Sequence, residues 1–124
     1  MNATAPLLAV NSNPRNLELL AQFLNQAGYQ VISVDNLAAF DAALDHSPQV
    51  GLALVDISGF DHSIWLRCER LQKRDIPLLV ISSKQSSAIQ QESLAHGARS
   101  VLVKPLVVRD LLALVRTLLD QANE

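Results

Sequence analysis

The sequence of 124 residues is short of the features that several classes of protein require. Its single cysteine, Cys68, has no partner for an internal disulfide, and a free cysteine is typical of proteins from the reducing cytosol. Ten Lys and Arg residues stand against 12 Asp and Glu residues, for a net charge of -2, so the chain has no basic excess with which to bind nucleic acid directly. No apolar run approaches the roughly 18 residues of a membrane span. The first residues also lack the basic-then-apolar layout of a signal peptide. We therefore expect a cytoplasmic domain without membrane contact.

The chain does contain enough apolar residues to form one hydrophobic core. Apolar residues make up 49% of the chain, and its length suits a single domain over residues 1–124. The polar tail 120–124 is where a linker would begin if the domain were the N-terminal part of a longer regulator.

Short apolar runs alternate with segments of helical spacing five times along the chain. The pattern predicts strands at 7–10, 29–34, 50–57, 76–81 and 100–103. It predicts helices from Asn13-Pro14 to Gly28, over 37–44 with a stop at 46–48, over about 63–73, over 86–96, and around Leu111–Leu119. Trp65 and Cys68, three residues apart on a helix, are expected to pack in the core. The order βα repeated five times predicts a flavodoxin-like α/β fold: a doubly wound, five-stranded parallel sheet in a three-layer α/β/α arrangement.

Polar residues follow the strands at the edge where ligands collect in such sheets. They are Asn11 and Ser12 after the first strand, Asp56 at the end of the third, Ser82 after the fourth, and Lys104 after the fifth. A carboxylate, a hydroxyl and a cation that converge from neighbouring strands are suited to handling phosphate.

The order of these segments resembles the receiver domains of bacterial two-component response regulators. The similar segments are 7–14, 27–31, 54–57, 77–83, and 95–98 followed by 102–105, so the resemblance covers nearly the whole chain. It implies that Asp56 is the phosphoacceptor, Ser82 the switch hydroxyl that contacts phosphate, and Lys104 the invariant lysine. It also implies a cis peptide bond between Lys104 and Pro105, and a sensor kinase as one candidate partner.

The sequence departs from that family at the metal site and in the switch. The family has two acidic residues at the positions of Asn11 and Ser12, where they hold Mg²⁺, so we expect Mg²⁺ binding to be weak or absent and expect no other cofactor. Phe60 stands where the family has a proline, and the nearby Asp61 and His62 are most simply solvated loop residues. Val101 occupies the position of the family's rotating aromatic residue and has no ring to swing.

The last strand and helix form the surface that many receivers use for dimers. The candidate interface residues here are Arg99, Val101, Val107, Asp110, Leu114 and Arg116. Leu114, Val101 and Val107 indicate a more apolar face than usual, hence a homodimer or another protein partner held by packing. The alternative is scattered surface valine and leucine, which is normal.

Three functions remain open, and we do not expect an enzyme. The first is an atypical, pseudo-receiver-like module that acts largely independently of phosphorylation, through protein contacts or dimerisation, on an attached output domain for transcription. The second is a working receiver that is phosphorylated on Asp56. In the first case Asp56 serves as the ion-pair partner of Lys104, and Ser82 bonds locally. A flavodoxin-like ligand-binding domain is a distant third, because residues 11–14 contain no glycine with which to cradle a phosphate.

Overall fold

Five strands alternate with five helices, and the predicted fold class is confirmed. The computed structural model describes residues 5–46 and 49–122. The strands are β1 (Leu7–Val10), β2 (Val31–Val34), β3 (Leu52–Asp56), β4 (Leu78–Ser82) and β5 (Ala98–Val103). The helices are α1 (Pro14–Gln26), α2 (Leu37–His46), α3 (Ile64–Lys73), α4 (Ser87–Ala95) and α5 (Val108–Ala122).

The strands form one parallel sheet in the order β2-β1-β3-β4-β5. Alternate side chains of each central strand enter two separate cores, since successive residues of a strand point to opposite faces. Leu8 and Val55 belong to the first core, which contains Phe40, Trp65 and other residues of α2 and α3. Leu7, Leu54 and Leu79 belong to the second core, with Leu24 of α1 and Leu111, Val115, Leu118 and Leu119 of α5. The sheet therefore lies between two cores, each covered by helices, and this is the three-layer α/β/α arrangement.

Several element boundaries differ from the predicted ones. The third strand is shorter than the apolar run 50–57 because its pairing with β1 begins only at the Leu7–Leu52 pair. The fifth strand begins earlier, at Ala98, and the fourth includes Ser82. Helix α2 reaches His46, while Ser47 and Pro48, which were predicted to close it, lie outside the described residues. Helix α5 continues into the polar tail as far as Ala122, and the linker expected to begin there stays a prediction.

The predicted helix ends are confirmed where their residues make specific contacts. The Asn13 side chain accepts a hydrogen bond from the Asn16 backbone N–H at 3.0 Å, and Pro14 occupies the first turn of α1. Gly97 follows α4 with a φ of +101°, and a Cβ at this position would come within 2.8 Å of the Gln72 side chain. Glycine is therefore needed there for both conformation and space.

Trp65 and Cys68 pack in the first core, as predicted. Burial raises the pKa of the Cys68 thiol to about 12, so this side chain behaves as a small apolar residue. The His96 ring stacks on Trp65 with 5.2 Å between ring centroids, and its Nε2 lies 3.2 Å from a Glu69 carboxylate oxygen. These contacts join the end of α4 to α3.

A group of ion pairs joins α2 to α3 at the surface. The Asp41 carboxylate pairs with Arg67 at 2.9 Å and with Arg70 at 3.0 Å, and Arg70 also reaches Asp45 at 3.1 Å. The hydrogen bond from Arg67 is the main reason why the pKa of Asp41 lies below its ordinary value of 3.8.

We predict that Asp41→Asn lowers the free energy of unfolding at pH 7 by roughly 0.5–1 kcal/mol, a small value because the pairs are partly exposed. Since the pKa of Asp41 is lowered in the folded state, its contribution is present above pH 3.8 and is lost as the pH falls further. Urea denaturation at pH 7 and pH 3 measures both effects. Asp45→Asn, which removes a single pair, is the matched control and should change stability less; an equal loss in both variants would contradict the prediction.

Candidate functional site

The buried carboxylate of Asp56, at the end of β3, is the centre of the candidate site. Its side chain is only 2% exposed. One oxygen, Oδ2, lies 2.5 Å from the Lys104 ammonium and accepts a hydrogen bond from Asn11 Nδ2 at 3.2 Å. The other oxygen, Oδ1, accepts a hydrogen bond from the Ser58 backbone N–H at 3.0 Å. Two groups distant in sequence, on Asn11 and Lys104, and one in the loop directly after β3 therefore compensate one buried charge.

Parallel pairing is what brings these segments together. β1 and β4 lie on either side of β3, and β5 pairs with β4, so all the strands end at one edge of the sheet. The Lys104 backbone N–H donates to the Ser82 carbonyl at 2.9 Å and extends the pairing of β4 with β5 by one residue. The Lys104–Pro105 peptide bond is cis, as predicted from the resemblance.

The orientation of the Asn11 amide is determined by a second contact. Asn11 Oδ1 accepts a hydrogen bond from the Asn13 backbone N–H at 2.9 Å. A backbone N–H can only donate, so the atom it faces must be the amide oxygen and not the amide nitrogen. The Asn11 NH₂ group consequently faces Asp56, and the site presents a donor to the carboxylate at this position.

Ser12 is held against the loop that follows β3. Its hydroxyl donates to the Ser58 carbonyl at 3.0 Å. Gly59, with a φ of +84°, lies so close that a Cβ there would come within 2.3 Å of Ser12 Oγ. Ser12 thus contacts the backbone beside Asp56, and its hydrogen bond to Ser58 ties β1 to this loop.

Ser82 is also buried next to the site, but its hydroxyl is bonded locally. Ser82 Oγ donates to the Lys84 carbonyl at 2.9 Å and accepts from the Lys84 backbone N–H at 3.1 Å. These contacts match the local alternative raised by the sequence. Its role in contacting phosphate stays a prediction.

In the loop after Asp56, polar groups form hydrogen bonds with one another. Asp61 accepts from the Ser63 hydroxyl at 2.5 Å and from the Ser63 backbone N–H at 2.9 Å, and these two bonds lower the pKa of Asp61. Asp61 and His62 are exposed, whereas Phe60 is half-buried against the first core. Phe60 therefore anchors the loop through packing.

The candidate interface residues are not equally available at the surface. Val101 is half-buried against the first core and Leu114 against the second. Val107 is 55% exposed, and its neighbours Val103 and Val108 are 38% and 48% exposed. The charged candidates Arg99, Asp110 and Arg116 are exposed. The apolar surface near α5 is thus centred on Val107 and not on Val101 or Leu114, because those two side chains are partly used inside the domain.

The residues around Asp56 do not fit Mg²⁺ as they are arranged. Mg²⁺ requires oxygen ligands in near-octahedral geometry, mainly carboxylates and water. Here Asn11 directs its N–H at the Asp56 carboxylate, and the Ser12 hydroxyl is engaged with Ser58, so neither offers a charged oxygen ligand. Within residues 5–46 and 49–122 no group of three or more His, Cys, Asp or Glu side chains could hold a metal ion.

Ser58 is the site residue that the sequence reasoning missed. Besides its N–H bond to Asp56 and its carbonyl bond to Ser12, its hydroxyl lies 3.3 Å from Ser83 Oγ. An available signal was the Asp-x-Ser spacing, because an Asp side chain often accepts a hydrogen bond from the backbone two residues on.

The fold and the sheet edge define a doubly wound α/β domain with a buried ion pair at the carboxyl ends of its strands, and comparison with known proteins identifies the family. Residues 7–116 match the response regulator receiver domain, and the chain belongs to this family. The chain is 31% identical over 122 residues to the transcriptional regulatory protein GltR of Pseudomonas aeruginosa, and 31% identical over 120 residues to the probable transcriptional regulatory protein SilR of Salmonella typhimurium. Each match covers 94% of this chain and 50% and 52% of the relative, so the chain spans about half the length of these proteins.

Solved structures show the same fold at low identity. A CheY-like response regulator receiver domain from Methanospirillum hungatei has a TM-score of 0.88 at 24% identity, with 98% of both chains covered. A two-component response regulator from Clostridium difficile has a TM-score of 0.88 at 20% identity, with coverage of 97% of this chain and 99% of the other. Across residues 5–46 and 49–122, no helix is long and apolar enough to cross a membrane.

The two partners of the buried ion pair should contribute unequally to stability. Lys104→Met leaves the Asp56 carboxylate buried without its cation, and we predict a loss of about 3 kcal/mol in the free energy of unfolding. Asp56→Asn should cost less, about 1–2 kcal/mol, because Lys104 is 32% exposed and can turn toward water. Urea denaturation at pH 7 measures both values.

Lys84→Met is the matched control, since Lys84 is exposed and lies in the loop after β4. We expect a change within about 0.5 kcal/mol for this variant. A smaller loss for Lys104→Met than for Asp56→Asn would show that the buried carboxylate does not depend on its cation.

Proposed function

We propose that this receiver domain is an atypical, pseudo-receiver-like member of its family, and that its signalling is largely independent of phosphorylation. The observation that carries the proposal is the direction of the Asn11 amide, which donates to Asp56 at 3.2 Å. A hydrogen-bond donor stands where a metal-holding acid would stand in the family. The carboxylate also contacts the Lys104 ammonium and the Ser58 backbone N–H.

The charge balance at the sheet edge supports this reading. With Asn11 and Ser12 neutral, the charges that meet there are those of Asp56 and Lys104, and these two cancel. A divalent cation would gain little attraction from a neutral pair and would have to displace the Lys104 and Asn11 contacts. Developing charge on a phosphoryl group would then lack its usual metal stabilisation.

The output side of the domain supports the same proposal. Val101, at the position of the family's aromatic switch, is half-buried against the first core and has one preferred χ1 rotamer in many backbone contexts. The Ser82 hydroxyl is engaged with Lys84. A relay between a mobile hydroxyl and a swinging ring has neither of its parts in place.

The relatives that match this chain support an attached output domain for transcription. The matched relatives are named as transcriptional regulatory proteins and are about twice as long as this chain. We infer that residues 1–124 are the N-terminal receiver of a longer cytoplasmic regulator. This receiver makes protein contacts, to a kinase, another regulator or a second copy, while DNA binding belongs to the output domain. It acts as a signalling module and not as an enzyme.

A gain-of-function variant tests the loss of the metal pocket. In an amide NMR titration with Mg²⁺, and then with Mg²⁺ and beryllofluoride, we predict no site-localised shifts in the natural chain. The double variant Asn11→Asp/Ser12→Asp should show saturable shifts around Asp56 at low millimolar Mg²⁺, because it restores two carboxylates. The variant Asn25→Asp/Gln26→Glu adds the same charge at exposed positions at the far end of α1 and should behave as the natural chain does.

The alternative function, a working phosphoacceptor, is supported by the retained Asp56, Ser82 and Lys104. It predicts the opposite result. Mg²⁺ shifts around Asp56 in the natural chain would contradict our proposal, and stable labelling of Asp56 by a small phosphodonor would establish this alternative.

We also propose that the apolar surface of Val103, Val107 and Val108 contributes to a homodimer through β5 and α5. Val103 ends β5, Val107 lies between β5 and α5, and Val108 begins α5. All three side chains are exposed. Exposed aliphatic side chains that lie close together favour self-association by burial.

We predict that Val107→Arg raises the dimer dissociation constant at least about tenfold, because it places a charge in the buried part of the contact. Sedimentation equilibrium of the natural and variant chains measures this constant. Leu66→Arg is the matched control, since Leu66 is 61% exposed on α3. A natural chain that stays monomeric, or an equal effect of both variants, would contradict this interface.

A further inference from the structure

We propose that the cavity beside the Asp56–Lys104 pair binds a small apolar molecule that carries a hydrogen-bond acceptor as its head group. The cavity measures about 550 Å³. Asn11, Asp56 and Lys104 provide its polar end, and Leu20, Ile81 and Leu106 are its larger apolar lining residues. The inference rests on the proposed function, because a bound metal ion would occupy the polar end.

The size and lining are those of a ligand site. Pockets for small molecules commonly measure about 300–1,000 Å³ and combine apolar walls with a few polar groups that orient the ligand. Leu20 comes from α1 and Leu106 from the segment between β5 and α5, and both are half-buried against the second core. Both walls are therefore supported by packing against the second core.

The polar end offers donors to a ligand. Lys104 has three N–H donors, and within the described part of the chain its ammonium contacts Asp56 alone. The Asn11 NH₂ group has two donors, one of which is engaged with Asp56. At least three N–H donors thus remain for a molecule in the cavity.

In the Asp56–Lys104 pair, the carboxylate is much less accessible to a ligand than the ammonium. Asp56 is 2% exposed and already receives contacts from Lys104, Asn11 and Ser58. Lys104 is 32% exposed. Asp56 lines the cavity but its carboxylate is nearly covered, so an entering molecule contacts the more exposed Lys104 ammonium first. A carbonyl or carboxylate head group is therefore favoured, and an ammonium head group is opposed by Lys104.

Amide NMR titration of the whole chain with hexanoate tests this site, with hexylammonium as a probe of the same length and opposite head group. We expect saturable shifts for hexanoate at Leu20, Ile81 and Leu106, with a dissociation constant on the order of 1–10 mM for so small a molecule. Hexylammonium should give no saturable shifts at these residues.

Two neighbouring residues of α1 provide a matched pair of variants. Leu20→Ala removes part of the cavity wall and should weaken hexanoate binding about fivefold. Leu19→Ala truncates a side chain that is 50% exposed and does not line the cavity, and it should leave binding unchanged. Both variants retain Lys104 and Asp56, so the polar end stays intact.

The proposal is overturned if hexanoate gives no saturable shifts up to about 50 mM, if hexylammonium binds equally well, or if Leu19→Ala weakens binding as much as Leu20→Ala. A Mg²⁺ titration of the same sample separates this result from the proposed function. Absence of both responses overturns the ligand site alone. Shifts around Asp56 caused by Mg²⁺ overturn the proposed function and, with it, the ligand site.

Discussion

The need to compensate one buried negative charge governs the arrangement of this domain's functional edge. Asp56 ends a strand that is covered on both faces, so its carboxylate has almost no access to water. An unpaired charge in such a place is strongly unfavourable. Lys104, Asn11 and Ser58 each supply a contact, and each comes from a different segment. The ends of β1, β3 and β5 are thereby held to one another through a single side chain.

The same constraint explains why small changes of residue type alter what this edge can do. In this chain an amide NH₂, an ammonium and a backbone N–H contact the carboxylate. The fold itself is that of solved receivers at 24% and 20% identity. What the edge can do therefore depends on its side chains and not on the fold alone.

Much of the fold could be predicted from the chain because local patterns and parallel pairing agree. The buried runs, the Asn13-Pro14 helix start and the stop at Gly97 are local signals, and the structure confirms them. The end of the last helix was predicted less well, since the polar residues from Asp120 onward are compatible with either a helix or a linker. How far Val101 and Leu114 are buried could not be predicted, because it depends on packing against residues far away in sequence.

By itself, the sequence determined the order of the elements and the convergence of Asp56 with Lys104, since the carboxyl ends of parallel strands must meet at one edge. Only the tertiary structure decided how the groups at that edge are used. The Asn11 amide faces Asp56 because a backbone N–H of the next turn holds its oxygen, and Ser82 bonds to Lys84 because the loop after β4 folds back on it. The contact between Asn11 and Asp56 joins β1 to β3 and depends on the pairing of these strands, so no spacing along the chain encodes it.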